Sequence, residues 1–450
     1  MRILHVVDLI DIAAGDGEAT EKPQHISSTQ EQASERVDRC GIIKWLMFLS
    51  ICLLGLASGL NIFTFSTTTS LVTDSVVIWR REDVLSSICF LFYALFGIFI
   101  RYGFETIEHK VFLVAIGALQ IFGDFSVFIG FSLTEPSKAM AMIVLGHVLN
   151  AAGFSCSLEL SSHLQSIWVG KGRKLINTAY FASVLLGVSI KYAISALLIG
   201  DHSVAELSKA LVLLKVSTVA LTFVIGISTF CMKAKTHRHH LSDSTPPSNP
   251  RKRSTIAIEC PCVNINSTLA TQGYAVYFAL LPPMFTCLQR VPAIAPSQAK
   301  SSLLWIESLL ALSAVVGILC GAALMLCKSN LKLVGTFTSF FSAVFMLLFT
   351  YSLTHLKSMN LSIVFVIAWG FTAAMWLALG IKYVASITDT SLARAKYTES
   401  LVCGSLFTVI LIYFNGWVMT VYGFEFVGYF VSTLYVLSFV LITASRGLPR

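Results

Sequence analysis

Asp124, Lys191 and Glu159 are ionisable residues that sit inside long apolar runs of this chain. A charge in hydrocarbon is costly, so each marks a pairing, gating or solute-contact role. Asp124 and Lys191 fall at matching depth in their runs, which suits an ion pair. Glu159 falls near the end of a run that also carries His147 and Asn150, one turn apart. A hydrogen bond between helices and a substrate contact are both open to that pair. Asn61 and Gln272 supply further amides, and Phe65, Phe154, Tyr274, Trp369 and Trp376 supply rings well inside such runs. Trp369 and Trp376 are seven residues apart and so share a helical face, with Ala373 between them. Ring faces attract ammonium groups, by roughly 2 kcal/mol or more once water is excluded. This is chemistry of binding and passage. No nucleophile–base pair, metal motif or phosphate loop lies at membrane depth, so no enzyme and no cofactor is expected.

The elements that must position these residues are the apolar runs themselves. A membrane-spanning helix needs about 20 mostly apolar residues. Six windows qualify in the first half, 42–66, 84–103, 111–133, 139–161, 177–200 and 209–232. Six follow in the second, 268–288, 303–327, 331–353, 361–384, 398–420 and 423–444. The expected architecture is an all-α integral membrane protein of twelve helices in two six-helix bundles, 41–232 and 268–450. A polar tail, 1–40, precedes them. Its short apolar start is interrupted by Asp8 and Asp11, which does not make a cleavable leader.

Between the bundles lies 233–267, with six cations and Pro246, Pro247 and Pro250. Such composition cannot bury enough apolar surface to fold alone, so it reads as a basic linker. Cys260-Pro-Cys262 and His237-Arg-His239-His240 share it, but without the paired spacing of a metal site. The seventh span carries Pro282-Pro283, which removes two backbone donors and must bend or break the helix. A packing kink and a gate hinge are both open readings.

Composition agrees: 55% hydrophobic, 12% charged, mean hydropathy +0.76. The net charge of +8 comes from cations at span ends and in the linker, which excludes a nucleic-acid face. With the N-terminus in the cytoplasm, 23 Lys and Arg fall on the inner segments and seven on the outer ones. That asymmetry places both termini in the cytoplasm. Trp45, Trp79, Trp168, Trp305 and Trp417 stand near span ends as interfacial anchors. The expected partners are the lipid bilayer and a small-molecule substrate, with the chain a monomer in the plasma membrane; an organellar membrane stays open.

The segment Gly146–Gly170, GHVLNAAGFSCSLELSSHLQSIWVG, resembles the fourth-helix signature of the feline leukaemia virus subgroup C receptor-related family of the major facilitator superfamily. Gly146, Leu149, Asn150, Ser162, Ser166, Trp168 and Gly170 carry the likeness. Asn61-Ile-Phe-Thr-Phe65 and Tyr397-Thr-Glu399 add to it. Phe154 stands where the family has glutamine, and Ser161 where it has proline. Glu105 and Glu108 with Lys110 stand where the superfamily keeps its cytoplasmic gating loop. The resemblance implies the major facilitator fold, alternating access, and choline, ethanolamine or haem as cargo. It also implies that spans one, four, seven and ten surround the cavity.

Spans one, seven and ten contain no Asp or Glu, and Glu159 is the acid of span four. A coupling proton needs an ionisable group on those helices, so a uniporter is expected. An aromatic cavity lined by Asn61, Phe65, Asn150, Phe154, Gln272, Tyr274, Trp369 and Trp376 suits a choline-like cation. Haem needs more cations, of which Lys191 is the one at hand. A nutrient or drug facilitator, or a receptor without transport on the same fold, are the other readings.

Overall fold

The computed structural model describes residues 45–46, 48–61, 87–88, 90–99, 109–133, 135–167, 176–198, 298–326, 330–387 and 390–444, with isolated positions at 220, 276, 279–280, 283–284 and 287. All regular structure among them is helical. In lipid no water can satisfy a backbone N–H or C=O, and a helix satisfies them within one segment. We label the helices α1 (Phe48–Asn61) and α2 (Phe90–Phe99), then α3 (His109–Ser132), α4 (Pro136–Ile167), α5 (Ile176–Leu198), α6 (Gln298–Leu326), α7 (Leu331–Thr354), α8 (Met359–Ile387), α9 (Thr390–Tyr422) and α10 (Phe424–Ala444). Helices α1–α5 correspond to the first five expected spans and α6–α10 to the last five. The sixth and seventh spans fall largely outside the described residues, as do the tail and the linker.

Among the described residues, eight helices, α3–α10, are long and apolar enough to cross a bilayer. Several outrun their apolar windows. Helix α9 begins at Thr390 rather than near 398, because backbone hydrogen bonding carries it on through Arg394 and Lys396. Helix length follows the hydrogen-bond ladder, whereas hydropathy marks only the part in lipid. Corners are tight. The Asn330 side chain caps α7 by accepting from the Leu333 N–H at 3.3 Å. One residue, Gly423 at φ +88°, separates α9 from α10, a left-handed position that glycine occupies without strain.

The helices are apolar on both sides, and the outward side carries the larger exposed residues. On α6, Leu312, Val316 and Leu319 are exposed, while Ala311, Ala314 and Ile318 are fully buried. Trp45, Trp305 and Trp417 are exposed as interfacial anchors would be; Trp79 and Trp168 lie outside the described residues. Packing runs α3 on α4, α4 on α5, α5 on α6, α6 on α8, α8 on α7 and α9, and α10 on α7 and α9. The α5–α6 contact joins the two halves of the chain. There Ser189 Oγ donates to the Ser308 carbonyl and Ser308 Oγ to the Ser189 carbonyl, both at 3.0 Å.

Candidate functional site: a buried polar layer in the first half

Glycines bring the helices of the first half close enough for short polar side chains to meet. A Cβ on Gly146 would lie 2.5 Å from the Gly123 carbonyl oxygen, so α3 and α4 touch backbone to backbone there. Directly beside that contact, Asn150 Nδ2 donates to Asp124 Oδ1 at 3.0 Å. One turn back along α3, Gln120 Nε2 donates to Ser58 Oγ of α1 at 2.8 Å. A Cβ on Gly187 would lie 3.1 Å from the Cα of Gly59, which brings α5 equally close to α1.

Lys191 follows Gly187 by one turn, on the same side of α5, and is fully buried. Its Nζ stands 5.2 Å from the centroid of the Tyr192 ring. Helices α1, α3 and α5 are odd-numbered crossings and run the same way. Asp124 is four residues beyond the Gln120–Ser58 bond and Lys191 four beyond the Gly187–Gly59 contact. The two charges therefore lie within about 2 Å of one depth, both turned towards α1. Asn61 and His147 are buried in the same half of the chain. The arrangement gathers a carboxylate, amides and a lysine in one layer, which can hold a polar solute or set the spacing of the helices.

Phe154 is half-buried on α4, with ring centroids 5.2 Å from Tyr93 and 6.4 Å from Tyr180. Glu159 is buried towards the end of α4. Trp369 and Trp376 are both fully buried on α8. Trp369 stands edge-on to Tyr435 of α10 with centroids 6.3 Å apart. The six-membered ring of Trp376 fills the space beside Gly335 of α7, where a Cβ would collide with it.

Pro283 is buried in the seventh span. Having no N–H, it leaves the Ala279 carbonyl without its helical donor, and Thr408 Oγ1 of α9 approaches that oxygen at 3.5 Å. The Thr408 hydroxyl has one hydrogen and its nearer acceptor is its own Gly404 carbonyl at 2.9 Å, so the contact across to the seventh span is weak. Phe65, Glu105, Gln272, Tyr274 and Pro282 lie outside the described residues. Lys110 and Glu399 are placed in α3 and α9 by backbone alone.

Gln120, Ser58, Ser189 and Ser308 received no role in the sequence, nor did Glu307, which is fully buried on α6. The uniport expectation turns on acids of the four expected cavity spans, and Glu307 lies on the eighth. The signal was present, since an acid in the apolar run Leu303–Leu312 is costly wherever it points.

No known protein family and no curated protein matches the sequence. Solved structures do match. A partially occluded inward-open conformation of the xylose transporter XylE from E. coli superposes with a TM-score of 0.68 at 8% identity, over 88% of this chain and 96% of that one. The inward-open conformation of XylE gives 0.68 at 10%, over 89% and 96%. A D-xylose-proton symporter gives 0.68 at 12%, over 90% and 99%. This is the major facilitator fold. With its long apolar helices the chain is an integral multi-pass membrane protein, and the α5–α6 serine contact lies between its two halves.

Proposed function

We propose that this protein moves a small organic solute across a membrane by alternating access. The observation that carries the proposal is the layer of buried carboxylate, amide and lysine groups held inside bundles of the major facilitator fold. Burying such groups costs stability, and a solute path is what repays that cost in a protein of this shape. The bundles are proposed to span 41–232 and 268–450, joined by the basic segment 233–267. The chain is read as a plasma-membrane monomer with both termini in the cytoplasm.

The proposed cargo is a choline- or ethanolamine-like ammonium solute, moved by uniport. The resemblance at 146–170 and the ring cluster at Phe154 support this reading. Asn61, Phe65, Asn150, Phe154, Gln272 and Tyr274 are the proposed contacts. Trp369 and Trp376 have their rings occupied by Tyr435 and Gly335, and the proposal leaves them to packing. The amide layer also suits a polyhydroxy solute, which makes a sugar the second reading.

Uptake of radiolabelled choline, ethanolamine, haem, xylose and an amino acid by proteoliposomes tests this. Choline or ethanolamine should enter to equilibrium without an ion gradient and compete with each other. Xylose uptake would replace the cargo assignment, and no uptake of any of them would leave a receptor.

A further inference from the structure

We propose that Tyr180 is a positioning residue that fixes the Phe154 ring for the solute, a role that rests on the cargo and contacts proposed above. Every other residue from Asn150 to Ser161 of α4 is buried, whereas Phe154 is half-buried. A helix side that meets lipid is exposed turn after turn, as on α6 at Leu312, Val316 and Leu319. A single accessible ring within about three otherwise buried turns instead opens on space enclosed by the packed helices.

Two tyrosines set where that ring stands. Tyr180 of α5 stacks on it, with centroids 6.4 Å apart and planes at 24°. Tyr93 of α2 leans on it at 5.2 Å and 47°. Tyr180 is itself fully buried, and a Cβ on Gly55 of α1 would lie 3.2 Å from its ring, so it has little room to swing towards α1.

The Tyr180 hydroxyl is held as firmly as its ring. Ser157 Oγ donates to the Phe154 carbonyl at 2.8 Å. A hydroxyl has one hydrogen, so in the contact between Ser157 Oγ and the Tyr180 hydroxyl it is Tyr180 that donates. The Tyr180 oxygen then accepts from Ser58 of α1, with which it is also hydrogen-bonded. Ser58 Oγ in turn accepts from Gln120 Nε2 of α3 at 2.8 Å. Gln120 is seated against Gly153, the residue before Phe154, where a Cβ would come within 2.8 Å of the Gln120 Cγ. Donation thus runs one way, from Gln120 to Ser58 to Tyr180 to Ser157 to the Phe154 carbonyl, and bonds in such a series polarise one another. Helices α1, α3, α4 and α5 each supply a member, and both ends of the series lie at the turn of Phe154. Tyr180 is the member that touches the Phe154 ring directly and, through Ser157, its carbonyl.

The test measures choline uptake by proteoliposomes carrying wild type, Tyr180→Phe, Phe154→Leu or both substitutions, with melting temperature as the control for folding. Tyr180→Phe keeps the stacked ring and removes the hydroxyl. It should raise the choline KM about fivefold, the size of one lost hydrogen bond, with kcat changed less. Phe154→Leu should raise KM at least as much, and in that background Tyr180→Phe should raise it no further, because Tyr180 acts through Phe154. An unchanged KM in folded Tyr180→Phe, or the same fold change in both backgrounds, overturns the positioning role and leaves the cargo reading intact. An unchanged KM in Phe154→Leu takes the ring out of the solute path and also overturns it. No choline or ethanolamine uptake by wild type overturns both readings. If Tyr180→Phe does not fold, Ser157→Ala takes its place, with the same rise in KM and the same loss of effect in the Phe154→Leu background. Failure of both to fold makes the series a structural tie and overturns the proposal.

Discussion

The two halves of the molecule solve the same packing problem with different chemistry. In the first, glycines on α1, α3, α4 and α5 let backbones touch, and the polar pairs Asp124–Asn150 and Gln120–Ser58 close the gaps. In the second, Gly317 and Gly370 bring α6 and α8 equally close, and rings fill much of the remaining space. Trp376 fills the space at Gly335, Phe414 packs on Phe430 at 4.7 Å, and Phe349 meets Phe424 edge-on. Several buried polar links there are hydroxyls, such as Ser342 to Thr372 at 3.1 Å and Ser432 to the Ala343 carbonyl at 2.9 Å. Hydroxyls can fall back on their own helix carbonyls, as Thr350 does on Met346 at 2.8 Å. A carboxylate or lysine has no such fallback. The first half leans on groups which must find each other and the second more on shape, although Glu307 is buried there too.

Reversing a buried charge in the first half should have the largest effect. Asp124→Lys and Lys191→Asp should each cost about 3–5 kcal/mol, seen as lost folded yield, because each strands a buried charge. The double reversal should recover much of that yield if the two residues act as a pair. Additive losses would assign them separate roles and weaken the idea of one polar layer.

In the second half the largest expected effect belongs to shape. Trp376→Ala should cost about 3–5 kcal/mol, measured as a lower melting temperature, through the cavity it opens beside Gly335. Solute affinity in the surviving protein should be unchanged. Loss of affinity at constant melting temperature would move Trp376 from packing to the solute path.

Glycine contacts come next. A Cβ on Gly59 would collide with the Val184 carbonyl, so Gly59→Ala should cost about 1–3 kcal/mol by forcing α1 and α5 apart. Gly97 has a side-chain atom of Val402 at 3.4 Å as its nearest neighbour, so Gly97→Ala should leave the melting temperature nearly unchanged. Equal effects at the two sites would remove the case for close backbone packing.

The smallest effect is expected between the halves. Ser189→Ala and Ser308→Ala should each lose about 0.6 kcal/mol, typical of one hydrogen bond between membrane helices. A bundle contact that opens during transport should be weak, and uptake rate should respond more than melting temperature. A loss of several kcal/mol would make it a permanent fastening instead.

Residue types alone were enough to place the apolar spans, because about 20 apolar residues in a row have few other uses. Asp124, Lys191, Glu159, His147 and Asn150 stood out for the same reason, since ionisable and amide groups are rare at that depth. Which groups meet was not legible. The choice of Asn150 for Asp124 depends on the close approach of α3 and α4 at Gly123 and Gly146. The fate of the two tryptophans of α8 was equally hidden. Their spacing put them on one face but could not say whether that face meets a cavity or another helix, and here Gly335 and Tyr435 receive them. Glu307 shows the same limit, since its burial on α6 depends on the packing of Ser308 against α5 and of Gly317 against α8. Hydropathy records how much a residue avoids water, a property of the residue. Direction around a helix axis is a property of its neighbours, and only the folded bundle assigns it.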